Sequence, residues 1–167
     1  QTRRQHGPVG TQVDEPGAID QAEEGKQELL ITREFDLPLD LLFQAYAEPE
    51  IVAQWMGTKV LKLESKRHGS YQFETTDPLG NKHGFNGVIH EFVPNKIITR
   101  TFEMENTPFA VWLEFLEFEK LTADTSKLTM HVVYKSVAQR DQLLQMPFAQ
   151  GLNMAHHRLQ EILNKLK

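Results

Sequence analysis

The chain contains no cysteine. Disulfides and thiolate zinc sites are thereby excluded, and a reducing cytoplasm is the simplest home. Long apolar runs are missing too. No stretch approaches the roughly 18 apolar residues of a membrane span, and the first 25 residues lack the apolar core of about 7–15 residues that a signal peptide needs. The expectation is a soluble, unexported chain with no membrane insertion. Positive charge is in deficit: 18 Lys and Arg stand against 23 Asp and Glu, a net −5, which disfavours nucleic acid as a partner. Catalytic signatures are absent as well. There is no GxSxG, no P-loop, no GxGxxG, and no nucleophile beside an evident base.

What is present is enough for one domain. A chain of 167 residues buries about two-thirds of the surface its unfolded form exposes, so a core, or a core with a cavity, is within reach. Residues 1–25 hold four glycines and two prolines with no apolar periodicity and read as a flexible tail. A single domain is expected over 26–167.

Its elements follow from pattern. "ELLITREF" is a strand that ends at Asp36 and Pro38. "LDLLFQAYA" has helical spacing with Asp40 as the expected N-cap, and Pro49 opens a second short helix, "PEIVAQWM". Gly57 then releases the chain with a positive φ. Six further extended segments follow, joined by short turn signals and no helices, which argues for an antiparallel meander. In the last, Leu128, Met130, Val132 and Tyr134 alternate with Thr129, His131 and Lys135, one face apolar and one wet. The end of the chain is helical, divided by Pro147. Phe148, Leu152, Ala155, Leu159, Ile162 and Leu166 form one apolar stripe that must lie on the sheet.

Several phrases in this order resemble a known family, the activator of heat-shock-protein-90 ATPase homologues. That family belongs to the START-like (SRPBCC) helix-grip superfamily, with the polyketide cyclases and the birch-pollen allergen. The likeness runs from Ile31 to the C-terminus. It is carried by "ITREFDLPLDLLFQAYAEPEIVAQWMG", "HGSYQFE", "GVIHEFVPNKI" and "MPFAQGLNMAHHRLQEIL". Two places depart: Arg67-His68-Gly69 stands where the family usually has Pro-Gly-Gly, and Leu152 follows Gly151 where a tryptophan is usual. The resemblance implies an α+β helix-grip fold, a curved antiparallel sheet of six to seven strands around a long C-terminal helix. It also implies an apolar cavity between sheet and helix.

Candidate residues follow. Trp55 reads first as a core indole whose N–H meets a carbonyl, and second as the lip of a cavity. Given the resemblance, Tyr71 and Phe73, two apart on one strand face, are the leading cavity-wall candidates, with Phe102, Trp112, Met130 and Leu152 beside them. Arg100 shares a strand face with Ile98 and Phe102, yet arginine is seldom buried, so the favoured reading turns Thr99, Thr101 and Ile97 inward and Arg100 to solvent. Glu114 reads as a surface glutamate with Glu117 and Glu119. Seven histidines suggest a metal, but His156 and His157 are adjacent on a helix, and His83 and His90 fall on opposite strand faces, so no metal site is expected.

These readings point to a non-catalytic module for a small hydrophobic or lipid-like molecule, with no cofactor. A co-chaperone-like interaction module, with a chaperone as partner, is the alternative. A cyclase or dehydratase using Glu114 and His131 ranks third. A homodimer is left open.

Overall fold

The computed structural model describes residues 19–167. The residues before Ile19, most of the segment expected to be a tail, lie outside the described residues, as does the side chain of Phe148 in the expected stripe. One antiparallel sheet of eight strands dominates. In chain order these are β1 (Ile19–Gln21), β2 (Glu28–Phe35), β3 (Lys59–Leu63), β4 (Ser70–Thr76), β5 (Lys82–Val93), β6 (Ile97–Met104), β7 (Trp112–Lys120) and β8 (Ser126–Val133). Helices α1 (Leu39–Ala47) and α2 (Pro49–Met56) follow β2, and α3 (Val137–Leu144) and α4 (Phe148–Asn164) close the chain. The spatial order is β1-β2-β8-β7-β6-β5-β4-β3. The meander from β3 to β8 thus curls until β8 pairs with β2, and the helices lie in the concave side. This is the helix-grip, α+β arrangement the sequence implied.

Two details differ from expectation. Ile19–Gln21, inside the stretch read as a tail, adds a short edge strand that pairs with β2, Ile19 opposite Ile31 and Gln21 opposite Leu30. Three residues are too few to show a period-two pattern. The α1 N-cap is Pro38, and Asp40 lies in the first turn, where its charge still suits the helix dipole.

Local chemistry explains the other helix ends. Pro49 stands in the first turn of α2, and Gly57 closes that helix in the left-handed region at φ 61°. Ser136 caps α3, its Oγ accepting from the Gln139 N–H at 3.1 Å.

The core is the concave face of the sheet. Leu29, Ile31 and Phe35 of β2, Leu128 of β8, Leu116 and Phe118 of β7 and Ile98 of β6 are buried there. α1 and α2 supply Leu42, Phe43, Tyr46, Val52 and Trp55, and α4 supplies Leu159 and Leu163. Trp55 is the anchor the sequence suggested: its Nε1 donates to the Ala45 carbonyl at 2.6 Å, and the Arg158 guanidinium on α4 donates to the Trp55 carbonyl at 2.9 Å. One residue therefore joins α1, α2 and α4.

Candidate functional site

The packing between sheet and α4 is incomplete. Under the N-terminal half of α4 lies a cavity of about 410 Å³. Its floor is the concave face of four consecutive strands. Phe85 comes from β5, Arg100, Phe102 and Met104 from β6, Trp112 and Glu114 from β7, and Met130 and Val132 from β8. Tyr134, just beyond β8, extends that row. Tyr46, Trp55 and Met56 close one side, and Leu143 of α3, Met146 of the link and Leu152 and Ala155 of α4 cover the top.

Of the seven residues singled out in the sequence, Trp55, Phe102, Trp112, Met130 and Leu152 border this space. Tyr71 and Phe73 do not, although both are buried on the expected face. The reason is their strand. β4 lies one strand beyond the cavity floor, and the Tyr71 ring sits behind the wall, 6.2 Å from Phe102 and 5.0 Å from Phe73. Gly87 on the neighbouring strand makes room for it, since a Cβ there would lie 2.4 Å from the Tyr71 hydroxyl.

The polar content of the floor overturns two further expectations. Arg100 is only 6 % exposed, and so is Glu114. They face each other across β6 and β7 in register, with Arg100 Nε donating to Glu114 Oε1 at 2.9 Å. Trp112 Nε1 donates to the other carboxylate oxygen, Oε2, also at 2.9 Å. Strand alternation won over residue frequency: Ile98, Arg100 and Phe102 share the inner face, while Thr99 turns outward to bond Glu91. The same parity separates the inward Glu114 from the exposed Glu117 and Glu119.

A buried ion pair persists only when desolvation is offset by close geometry and further contacts. Here the guanidinium is also surrounded by rings, its Cζ 5.3 Å from the centroid of Tyr71, 5.8 Å from Tyr46 and 5.9 Å from Phe102. Burial opposes the Arg100 charge. The Glu114 charge and hydrogen bond, together with the Tyr71 and Tyr46 hydroxyls, outweigh it, and the arginine pKa ends above its ordinary value.

Two other groups near the space are neutral. Burial raises the pKa of Tyr134 far above the usual phenol range, reinforced by the Glu114 charge. Its hydroxyl is buried with no hydrogen-bond partner among the described residues. Tyr46, likewise raised by burial, bonds His156 Nε2 at 3.3 Å. His156 is fully buried on α4, and that burial drops its pKa to about 3. It is therefore a neutral packing histidine set edge-on to Phe35 at 5.4 Å.

The pair considered for acid–base work is not assembled. Glu114 points into the cavity, while His131 sits opposite Phe115 on the outer face and bonds Glu28. Among the described residues no cluster of three His, Asp or Glu side chains is placed to hold a metal ion, and no helix is long and apolar enough to cross a membrane.

Comparison with known proteins fits this geometry. The family model described as "Activator of Hsp90 ATPase homolog 1-like protein" matches residues 36–164. A protein from Rhodobacter sphaeroides superposes with a TM-score of 0.79 at 19% identity, covering 89% of this chain and 99% of its own. One from Arthrobacter aurescens gives 0.79 at 16% identity, with 89% and 91% coverage. A third, from Mycobacterium smegmatis, gives 0.75 at 20% identity, with 87% and 96%. At these identities the likeness concerns the fold. A search of curated proteins finds no significant match.

Proposed function

From the premise that the chain belongs to the activator of Hsp90 ATPase homolog 1-like family, we propose that it is a non-catalytic binding module for a small, mostly apolar molecule. The observation that carries this reading is the cavity itself, about 410 Å³ of space walled by aromatic and aliphatic side chains. Ligand pockets of this kind span roughly 300–1,000 Å³ and combine apolar walls with a few placed polar groups. A guest that hides roughly 300 Å² of apolar surface gains about 7.5 kcal/mol from that burial, the scale of a micromolar complex before ordering costs are subtracted. Among the described residues the one buried carboxylate already serves Arg100 and Trp112, which favours binding over turnover. A role beside a chaperone rests on the family description alone.

Titration with the uncharged dye N-phenyl-1-naphthylamine tests the reading. Saturable one-to-one binding in the micromolar range is expected. The substitutions Ala155→Phe and Val132→Phe each place a ring in the space and are expected to weaken the dye at least about tenfold while the thermal transition is retained. If the folded wild-type protein shows no saturable binding, the proposal fails.

A further inference from the structure

The polar inventory of the cavity narrows the class of guest. Six side chains with nitrogen or oxygen border it: Tyr46, Trp55, Arg100, Trp112, Glu114 and Tyr134. Four are spent, the Trp55 N–H on the Ala45 carbonyl among them. The Trp112 N–H is on Glu114, both Glu114 oxygens accept bonds, and the Tyr46 hydroxyl is engaged by His156. What remains is donor capacity. The hydrogen bond of the Arg100 guanidinium is made through Nε to Glu114, and its terminal nitrogens make none among the described residues. The Tyr134 hydroxyl is buried without a partner among those residues. A guest that supplies an acceptor to such a donor gains more than one that supplies hydrocarbon alone.

Charge decides the kind of acceptor. Glu114 already matches Arg100 at 2.9 Å, so the floor is neutral as a unit. A carboxylate or sulfonate guest would add a third charge to a matched pair in an apolar space and leave one negative charge uncompensated. A neutral oxygen adds none.

Resting on the binding-module reading above, we infer that the guest carries a neutral oxygen acceptor, a ketone, aldehyde or ester carbonyl, on an otherwise apolar body. Its carbonyl takes a donor that Arg100 or Tyr134 leaves free. The flat aromatic walls, Phe102 stacked on Trp112 with centroids 5.1 Å apart, suit a planar conjugated body.

A matched set of three probes tests this: 2-acetylnaphthalene, its hydrocarbon isostere 2-isopropylnaphthalene, and 2-naphthoate, each titrated by calorimetry into the full chain. The ketone is expected to bind at least about fivefold tighter than the hydrocarbon, as one added hydrogen bond to a charged donor allows, and the naphthoate weakest. The double substitution Arg100→Met with Glu114→Gln removes both charges together, so neither is left buried and alone. Tyr134→Phe removes one hydroxyl and nothing else. The ketone-to-hydrocarbon ratio is expected to fall to about one in at least one of these variants. A wild-type ratio under fivefold, a ratio that survives in both variants, or naphthoate as the tightest guest overturns the inference while the hydrocarbon's own binding keeps the module reading. Failure of all three probes to bind removes the module reading, and the inference with it.

Discussion

The two ends of α4 meet the sheet differently. Toward the C-terminus, Leu159 and Leu163 are fully buried, in one packed cluster with Phe43, Phe118 and Leu128. Phe43 there touches Phe118 and Phe92 edge-on at 4.9 and 5.3 Å. Toward the N-terminus the helix presents Gly151, Leu152 and Ala155 instead, and the cavity lies beneath them. Same helix and same sheet, but one end is filled and the other is not. The difference lies in side-chain volume on the helix: Leu159 and Leu163 at one end, and a single leucine, Leu152, with Gly151 and Ala155 at the other. One fold thus holds a filled core and an open space side by side, and the expectation is that the filled end supplies more of the stability.

The largest test of that division is a pair of truncations. Leu159→Ala removes atoms packed on every side and is expected to cost about 3 kcal/mol, within the 2–5 seen for buried leucines. Leu152→Ala, at the edge of the cavity, is expected to cost about 1 kcal/mol, because a side chain beside empty space already lacks partner atoms there. Urea denaturation of both variants reads the difference. Equal losses would mean that the two ends carry equal stability and that the contrast is only one of shape.

Acid sharpens the comparison at the point where the two ends join. His156 sits between them, held neutral by burial with a pKa of about 3 against 6.5 in the unfolded chain. Between those values the unfolded state binds the proton and the folded state does not, so stability falls as the pH is lowered. The loss is about 1.4 kcal/mol for each pH unit below 6.5, or roughly 2 kcal/mol by pH 5. Denaturation curves at pH 7, 6 and 5 are expected to show this slope in the wild type and a shallower one in His156→Phe. Identical slopes would show that the histidine is not what the acid attacks.

How much of this was legible depended on whether a feature belongs to one segment or to two. The succession of strands β2 to β8, the short helices, the Pro49 and Gly57 boundaries and the long apolar helix are local patterns, and each stands where the spacing put it. Trp55 could be read as an anchor because a glycine and a proline fix its surroundings. Arg100 and Glu114 could not, since each is improbable inside when taken alone. Only the register of β6 against β7 makes them partners, and register is set by turns and cross-strand packing that neither segment contains. Parity did carry the signal, in Arg100 between Ile98 and Phe102 and in Glu114 between Trp112 and Leu116, and a frequency argument set it aside. Tyr71 and Phe73 teach the converse. Their face was legible, but whether that face meets a cavity depends on which residues of α4 lie above it.

The smallest effect probes the open end directly. Gly151 lies in the first turns of α4, and a Cβ built there meets nothing within 4 Å. Glycine within a helix costs roughly 0.5–1 kcal/mol relative to alanine, through the greater backbone freedom it loses on folding. Gly151→Ala is therefore expected to stabilise the protein by that amount and raise Tm by about 1–4 °C for a chain of this size. At the filled end an added methyl would clash and destabilise. Here it meets nothing within 4 Å, so the expected sign is the opposite. A lower Tm would mean that the Gly151 position is crowded in solution.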